Sequence, residues 1–122
     1  MKPLLLAAGI SGFIAVALGA FGAHGLTLSA EATKWWDTAT HYFLIHSVAA
    51  LFLSGQRNPI AGWTFIAGSV FFAGSLYAMA LGGPRILGAV TPIGGLCYLV
   101  GWANIAFSGM RNINAAAEES AQ

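Results

Sequence analysis

LLLAAGISGFIAVALGAFGAHGL, residues 4 to 26, decides the fold. From Leu4 to Ala23 it carries no charged side chain. A helix that crosses the roughly 30 Å hydrocarbon core of a bilayer needs about 20 predominantly apolar residues, each rising about 1.5 Å. The run meets that length. It also exceeds the roughly 7–15 apolar residues of a secretory signal core, so it reads as a retained span. His24 falls about 30 Å from Leu4 at the helical rise, which puts it at the far interface.

Three more stretches repeat this character. With the first span taken as residues 4–24, the others cover residues 36–55, 60–82 and 86–109. The second has an uncharged centre, Thr38 to Ser54, and "SAEATKWWD" before it extends the same helix outward from a Ser29 N-cap. All five basic residues, Lys2, Lys34, Arg57, Arg85 and Arg111, lie outside the spans. Of the 122 residues 57% are hydrophobic and only 7% charged, against roughly a quarter charged in a soluble domain. A water-facing surface cannot be built from this composition. A net charge of +1 gives no field for nucleic acid. A single cysteine, Cys97, excludes an internal disulfide or a cysteine-built metal cluster.

The connectors "GQRNPI" and "GGPRI" hold glycine, proline and one arginine each, the chemistry of a helix stop followed by a new start. Short turns make consecutive helices antiparallel neighbours. The sequence therefore predicts one all-α membrane domain over residues 1–122. It is an integral four-helix bundle, up-down-up-down, with both termini on one side and residues 110–122 a frayed, solvated tail. The terminal side carries Lys2, Arg57 and Arg111, against Lys34 and Arg85 on the far side, which favours cytoplasmic termini. Small residues let membrane helices approach closely. Such stripes occur at Ala8, Gly12, Ala15 and Gly19, with Gly22 beyond, at Gly68, Ser75 and Gly82, and at Gly94 and Gly101.

At a helical rise of about 1.5 Å per residue, each polar side chain inside the spans has a countable depth. His46 falls at the midplane, with Tyr42 one turn nearer the far side. His24, Tyr42, Ser75, Tyr77 and Thr91 then outline a candidate vestibule with His46 as its floor. His46 reads as a proton relay, a cation ligand or a haem or quinone contact. Alternatively it is a neutral imidazole bonded to Ser69 or Tyr77 that holds the helices together. Thr91-Pro92 is expected to free the carbonyl near Gly88, which either kinks the fourth helix or offers an oxygen ligand, the kink being favoured. His41 and His46 are five apart and form no i, i+4 metal pair, so no metal site is assigned. No span holds Asp, Glu, Lys or Arg beyond its ends, and no nucleophile–base spacing, HExxH or phosphate loop occurs. No catalytic residue and no cofactor is assigned.

The segments "ISGFIAVALGAFGAHGL", "HYFLIHSVAAL", "FFAGSLYAMAL" and "VTPIGGLCYLVGW" occur in that order over about Leu4 to Gly109. In them the chain resembles the small bacterial inner-membrane proteins grouped as domain of unknown function 423, related to the transmembrane protein 256 group. The matching positions are Gly19, Gly22, His24, Tyr42, His46, Gly74, Ser75, Tyr77, Thr91, Pro92, Gly94 and Gly95; His41 is not among them. The resemblance implies a four-span integral membrane protein and supplies no reaction. The expected function is that of a non-catalytic accessory, assembly or homo-oligomerising component in the lipid bilayer. The alternative is binding or conduction of a proton, cation, quinone or haem through the vestibule.

Overall fold

The computed structural model describes residues 2–122, all helix and connection, with no strand among the described residues. Helix α1 spans Pro3–His24, α2 Ala30–Leu53, α3 Ile60–Ala80 and α4 Thr91–Ala121, and a short 3-10 turn covers Arg85–Ala89. Three segments are long and apolar enough to cross a membrane: α1, α3 and the stretch Arg85–Ala121. The outer turns of α2 hold Glu31, Lys34 and Asp37, which sets it apart by composition; its uncharged part lies between α1 and α3.

Local chemistry sets the ends. Pro3 occupies the first turn of α1, where a missing N–H costs nothing. Ser29 caps α2, its Oγ accepting from the Ala32 N–H at 3.1 Å. The α3–α4 connection holds the only positive φ among the described residues, at Gly82 (97°), a conformation that an L side chain resists. Gly82 thus lies beyond α3, and a Cβ there would meet no atom within 4 Å. The residue expected to pack helices instead turns the chain.

The fourth helix also differs from expectation. Residues 85–89 form the separate 3-10 turn, and α4 begins at Thr91 with Pro92 in its first turn. A proline ring clashes with the carbonyl four residues earlier, here that of Gly88, so one helix cannot run through from Ile86. Pro92 starts the helix rather than kinking it. The Thr91 hydroxyl pairs with Ser75, five residues before the end of α3, so the start of α4 lies about one turn inside that end. At the other end, α4 stays helical through Ala121 with every side chain from Gly109 onward exposed, where a frayed tail was expected.

The helices pack in chain order. α2 lies against α1 and α3, and α3 against α4, while α1 touches α3 lightly and has no comparable packing with α4. On α1 the buried face is Leu4, Ala8, Ser11 and Ala15, a step of three or four residues. The core divides into two layers along the helix axes. The terminal-side layer gathers Leu4, Ala8, Ala50, Leu53, Ala61, Phe65 and Tyr98. The far-side layer gathers Trp36, Ala39, Ala73, Leu76, Tyr77 and their neighbours.

Glycines decide where backbones meet. A Cβ on Gly94 would strike the backbone N of Phe72 and come within 2.7 Å of the Gly68 carbonyl oxygen. One on Gly68 would meet the Tyr98 ring at 2.6 Å, and Gly101 faces Phe65 and Thr64. Gly22 makes room for the Trp36 indole, whose Nε1–H donates to the Leu18 carbonyl at 2.9 Å. Gly19 is 3.1 Å from the Thr40 methyl by the same measure, whereas Gly12 faces nothing within 4 Å.

Gly94→Ala is therefore expected to lower the thermal unfolding midpoint in mild detergent by several degrees, through an overpacking cost of about 1–3 kcal/mol. Gly95→Ala, where a Cβ meets nothing within 4 Å, is expected to leave it unchanged. Equal midpoints for the two variants would refute the backbone contact.

Candidate functional site

His46, in the second half of α2, is buried at 4% exposure. Its Nδ1 lies 2.7 Å from the Tyr42 carbonyl oxygen, one turn back on α2. Its Nε2 accepts from the Trp102 Nε1–H at 3.0 Å, across to α4. A carbonyl can only accept and an indole N–H can only donate. The ring is therefore neutral, protonated on Nδ1, with both nitrogens engaged.

Aromatic rings enclose it. The Tyr98 ring stacks on His46 with centroids 3.6 Å apart and planes within 8°. Phe65 meets it edge-on at 5.0 Å, and Tyr42 lies parallel at 6.1 Å. Tyr98 is itself tied down, its hydroxyl 2.8 Å from Ser69 Oγ on α3. One histidine thus joins α2 to α4 over a floor supplied by α3. Above this stack a groove of about 530 Å³ opens between α2 and α4, walled by Tyr42, Phe72, Leu96, Leu99 and Trp102. Its lining is nearly all apolar. A second groove of about 520 Å³ lies between α1 and α3, with Phe43 of α2 in its lining.

The expected vestibule residues separate into four places. Tyr42 and His46 share the stack just described. Tyr77 points toward α2, bonding Thr40 Oγ1 at 2.7 Å and packing edge-on against Trp36 at 4.5 Å. Ser75 donates to the Phe72 carbonyl at 3.0 Å and pairs with the Thr91 hydroxyl, fastening α3 to the start of α4. His24 is exposed at the end of α1. Ser69 and Tyr77, the expected partners of His46, bond Tyr98 and Thr40 instead. Exposed His41 lies edge-on to Tyr42 at 5.9 Å. Among the described residues, no three His, Cys, Asp or Glu side chains come together as a metal site would require.

Tyr98 and Trp102 were missed, although the sequence held a signal for them. They lie four and eight residues beyond Gly94 and flank Gly101, so they fall on the face marked by the α4 glycines. Any aromatic on that face must enter the space beside α3.

No buried side-chain nitrogen or oxygen lacks a partner among the described residues. Chemically the site offers a rigid aromatic wall, and both nitrogens of its imidazole are already bonded within the protein. A double-mutant cycle over His46→Phe and Trp102→Phe is expected to show a coupling of about 0.6–1.7 kcal/mol in detergent unfolding, the scale of interhelical bonds in membranes. Strict additivity would show that the bond contributes nothing.

The chain matches the profile of the family described as "Protein of unknown function (DUF423)" over residues 18–95. It is 43% identical over 110 residues to the UPF0382 membrane protein of Staphylococcus saprophyticus, covering 84% of this chain and 92% of that one. With the UPF0382 membrane protein of Haemophilus influenzae it shares 39% identity over 113 residues, 84% of this chain and 90% of the relative. With the UPF0382 inner membrane protein YgdD of Escherichia coli K12 it shares 45% over 109 residues, 82% and 83% of the two chains. No solved structure matches it. An all-helical architecture with spanning segments, the family profile and relatives named as membrane proteins agree: the chain is a membrane protein and belongs to the DUF423 family.

Proposed function

We propose that the protein is a non-catalytic component of the bacterial inner membrane that acts by lateral contact, as an accessory or assembly subunit or as a homo-oligomer. The observation that carries this reading is the internal use of its membrane-embedded polar groups. His46 uses both nitrogens on Tyr42 and Trp102, and the hydroxyls of Ser47, Ser69, Ser75 and Tyr77 each have a partner within the protein. Such groups hold helices together and are not available to a substrate. What the protein offers outward is large and apolar, including Phe13 at 77% and Leu99 at 66% exposure.

A second reading rests on the groove between α2 and α4. A flat apolar ligand of the quinone type fits a wall formed by stacked rings, and roughly 300–1,000 Å³ is the usual size of small-molecule sites. Proton or cation binding has less support, because His46 retains no free nitrogen. The same holds for axial haem ligation by that residue.

Photocrosslinking residues placed at Phe13 and at Leu99, followed by native mass measurement in mild detergent, separate the two readings. Contact with protein predicts a defined adduct of larger mass than the single 12.6 kDa chain. A monomer that crosslinks only to lipid and retains a stoichiometric quinone would overturn the accessory reading in favour of the ligand site.

A further inference from the structure

Two arginines from separate segments line one cleft at the terminal-side end of the bundle. Arg57 belongs to the α2–α3 connection and Arg111 to α4, and the cleft between them encloses about 480 Å³. Gln56, Asn58, Asn104 and Asn112 add amide groups to its lining. The Asn58 side chain is held in place from both ends. Its Oδ1 accepts from the Ile60 N–H at 3.1 Å, and its Nδ2 donates to Asn104 Oδ1 at 3.4 Å, bridging the connection to α4.

No carboxylate neutralises this charge. Among the described residues the one ion pair is Arg85–Glu31, on the far side. Arg111 contacts Ser108 Oγ at 3.4 Å. The positions one turn away from it on α4 are Phe107, Ser108, Asn114 and Ala115, none of them acidic. Glu118 and Glu119 lie about 10 Å or more further along the helix. Two guanidinium groups and several amide donors therefore share a concave site without an anion of the protein's own.

Depth and shape narrow the ligand. The cleft lies where α2 ends at Leu53 and α3 begins at Ile60, and Arg111 is two residues past Gly109, from which point every residue of α4 is exposed. Helix ends and connections of a spanning bundle are the level at which lipid phosphates are expected. Its inner wall is apolar, formed by Phe52, Leu53 and Ile105. A guanidinium matches a phosphate through paired N–H donors. We propose that this cleft is a binding site for an anionic phospholipid, its phosphate held by Arg57 and Arg111 and its acyl chain lying along Phe52 and Ile105. The apolar wall favours a lipid headgroup over free phosphate.

The test uses the delipidated full chain in mild detergent, with native mass spectrometry during titration by phosphatidylglycerol or phosphatidylcholine. The wild type is expected to prefer phosphatidylglycerol by roughly thirtyfold, given two basic side chains at the surface. The double variant Arg57→Gln/Arg111→Gln is expected to bring the two lipids near parity with an unchanged circular dichroism spectrum. Lys2→Gln, on the same side but outside the cleft, is expected to keep the preference. Equal loss in Lys2→Gln would reduce the effect to general surface charge and overturn the site. Displacement of phosphatidylglycerol by millimolar inorganic phosphate would overturn the lipid assignment and identify a soluble phosphate as the ligand.

Discussion

The approach of α3 to α4 at Gly68 and Gly94 is the constraint on which the rest of the structure depends. At that crossing the Gly94 Cα faces the Phe72 backbone, and there is no room for a methyl group on either glycine. In water such closeness would be driven by hiding apolar surface. In lipid the surroundings are equally apolar, so the gain comes from the contacts themselves and from polar bonds that closeness permits. Four residues beyond Gly94, Tyr98 is carried over α3 to Ser69 and against His46; another turn on, Trp102 reaches the remaining nitrogen of that histidine. A backbone that stood off by a methyl's width would break this series of contacts at its origin.

The polar side chains of the membrane interior follow one logic. Ser47, Thr40, Ser69, Ser75 and His46 each bond either a carbonyl on their own helix or a group on the neighbouring one. Ser47 returns to Phe43, Thr40 crosses to Tyr77, Ser69 to Tyr98 and Ser75 to Thr91. A buried group without a partner would be expensive in hydrocarbon, and none remains among the described residues. The arrangement accounts for a buried histidine between α2 and α4 without requiring a ligand for it.

The helices were legible because their signal is one-dimensional. Apolar runs, excluded charges and glycine–proline connectors act within a few residues of where they are read, and Ser29 caps α2 as its side chain predicts. Pro92 was misplaced since its effect depends on whether a helix already exists four residues upstream, which composition does not state. The site was harder for a different reason. Depth along each axis is countable, but rotation about it is set by the partner, and Tyr77 turns toward Thr40 rather than toward His46. Tyr42 and His46 stayed together because they share one helix face. Tyr98 and Trp102 could have been assigned to the same neighbourhood by extending the glycine face of α4.

The Trp36 indole, bonded to the Leu18 carbonyl over the gap left by Gly22, has a mechanical meaning as well. It fixes the height of α1 against α2, as Thr40–Tyr77 does for α2 against α3 and Ser75–Thr91 for α3 against α4. Each neighbouring pair is thus riveted near the same end. A change in bilayer thickness cannot be met by sliding one helix past the next. The four helices must tilt as a unit, or the lipid around them must stretch or thin.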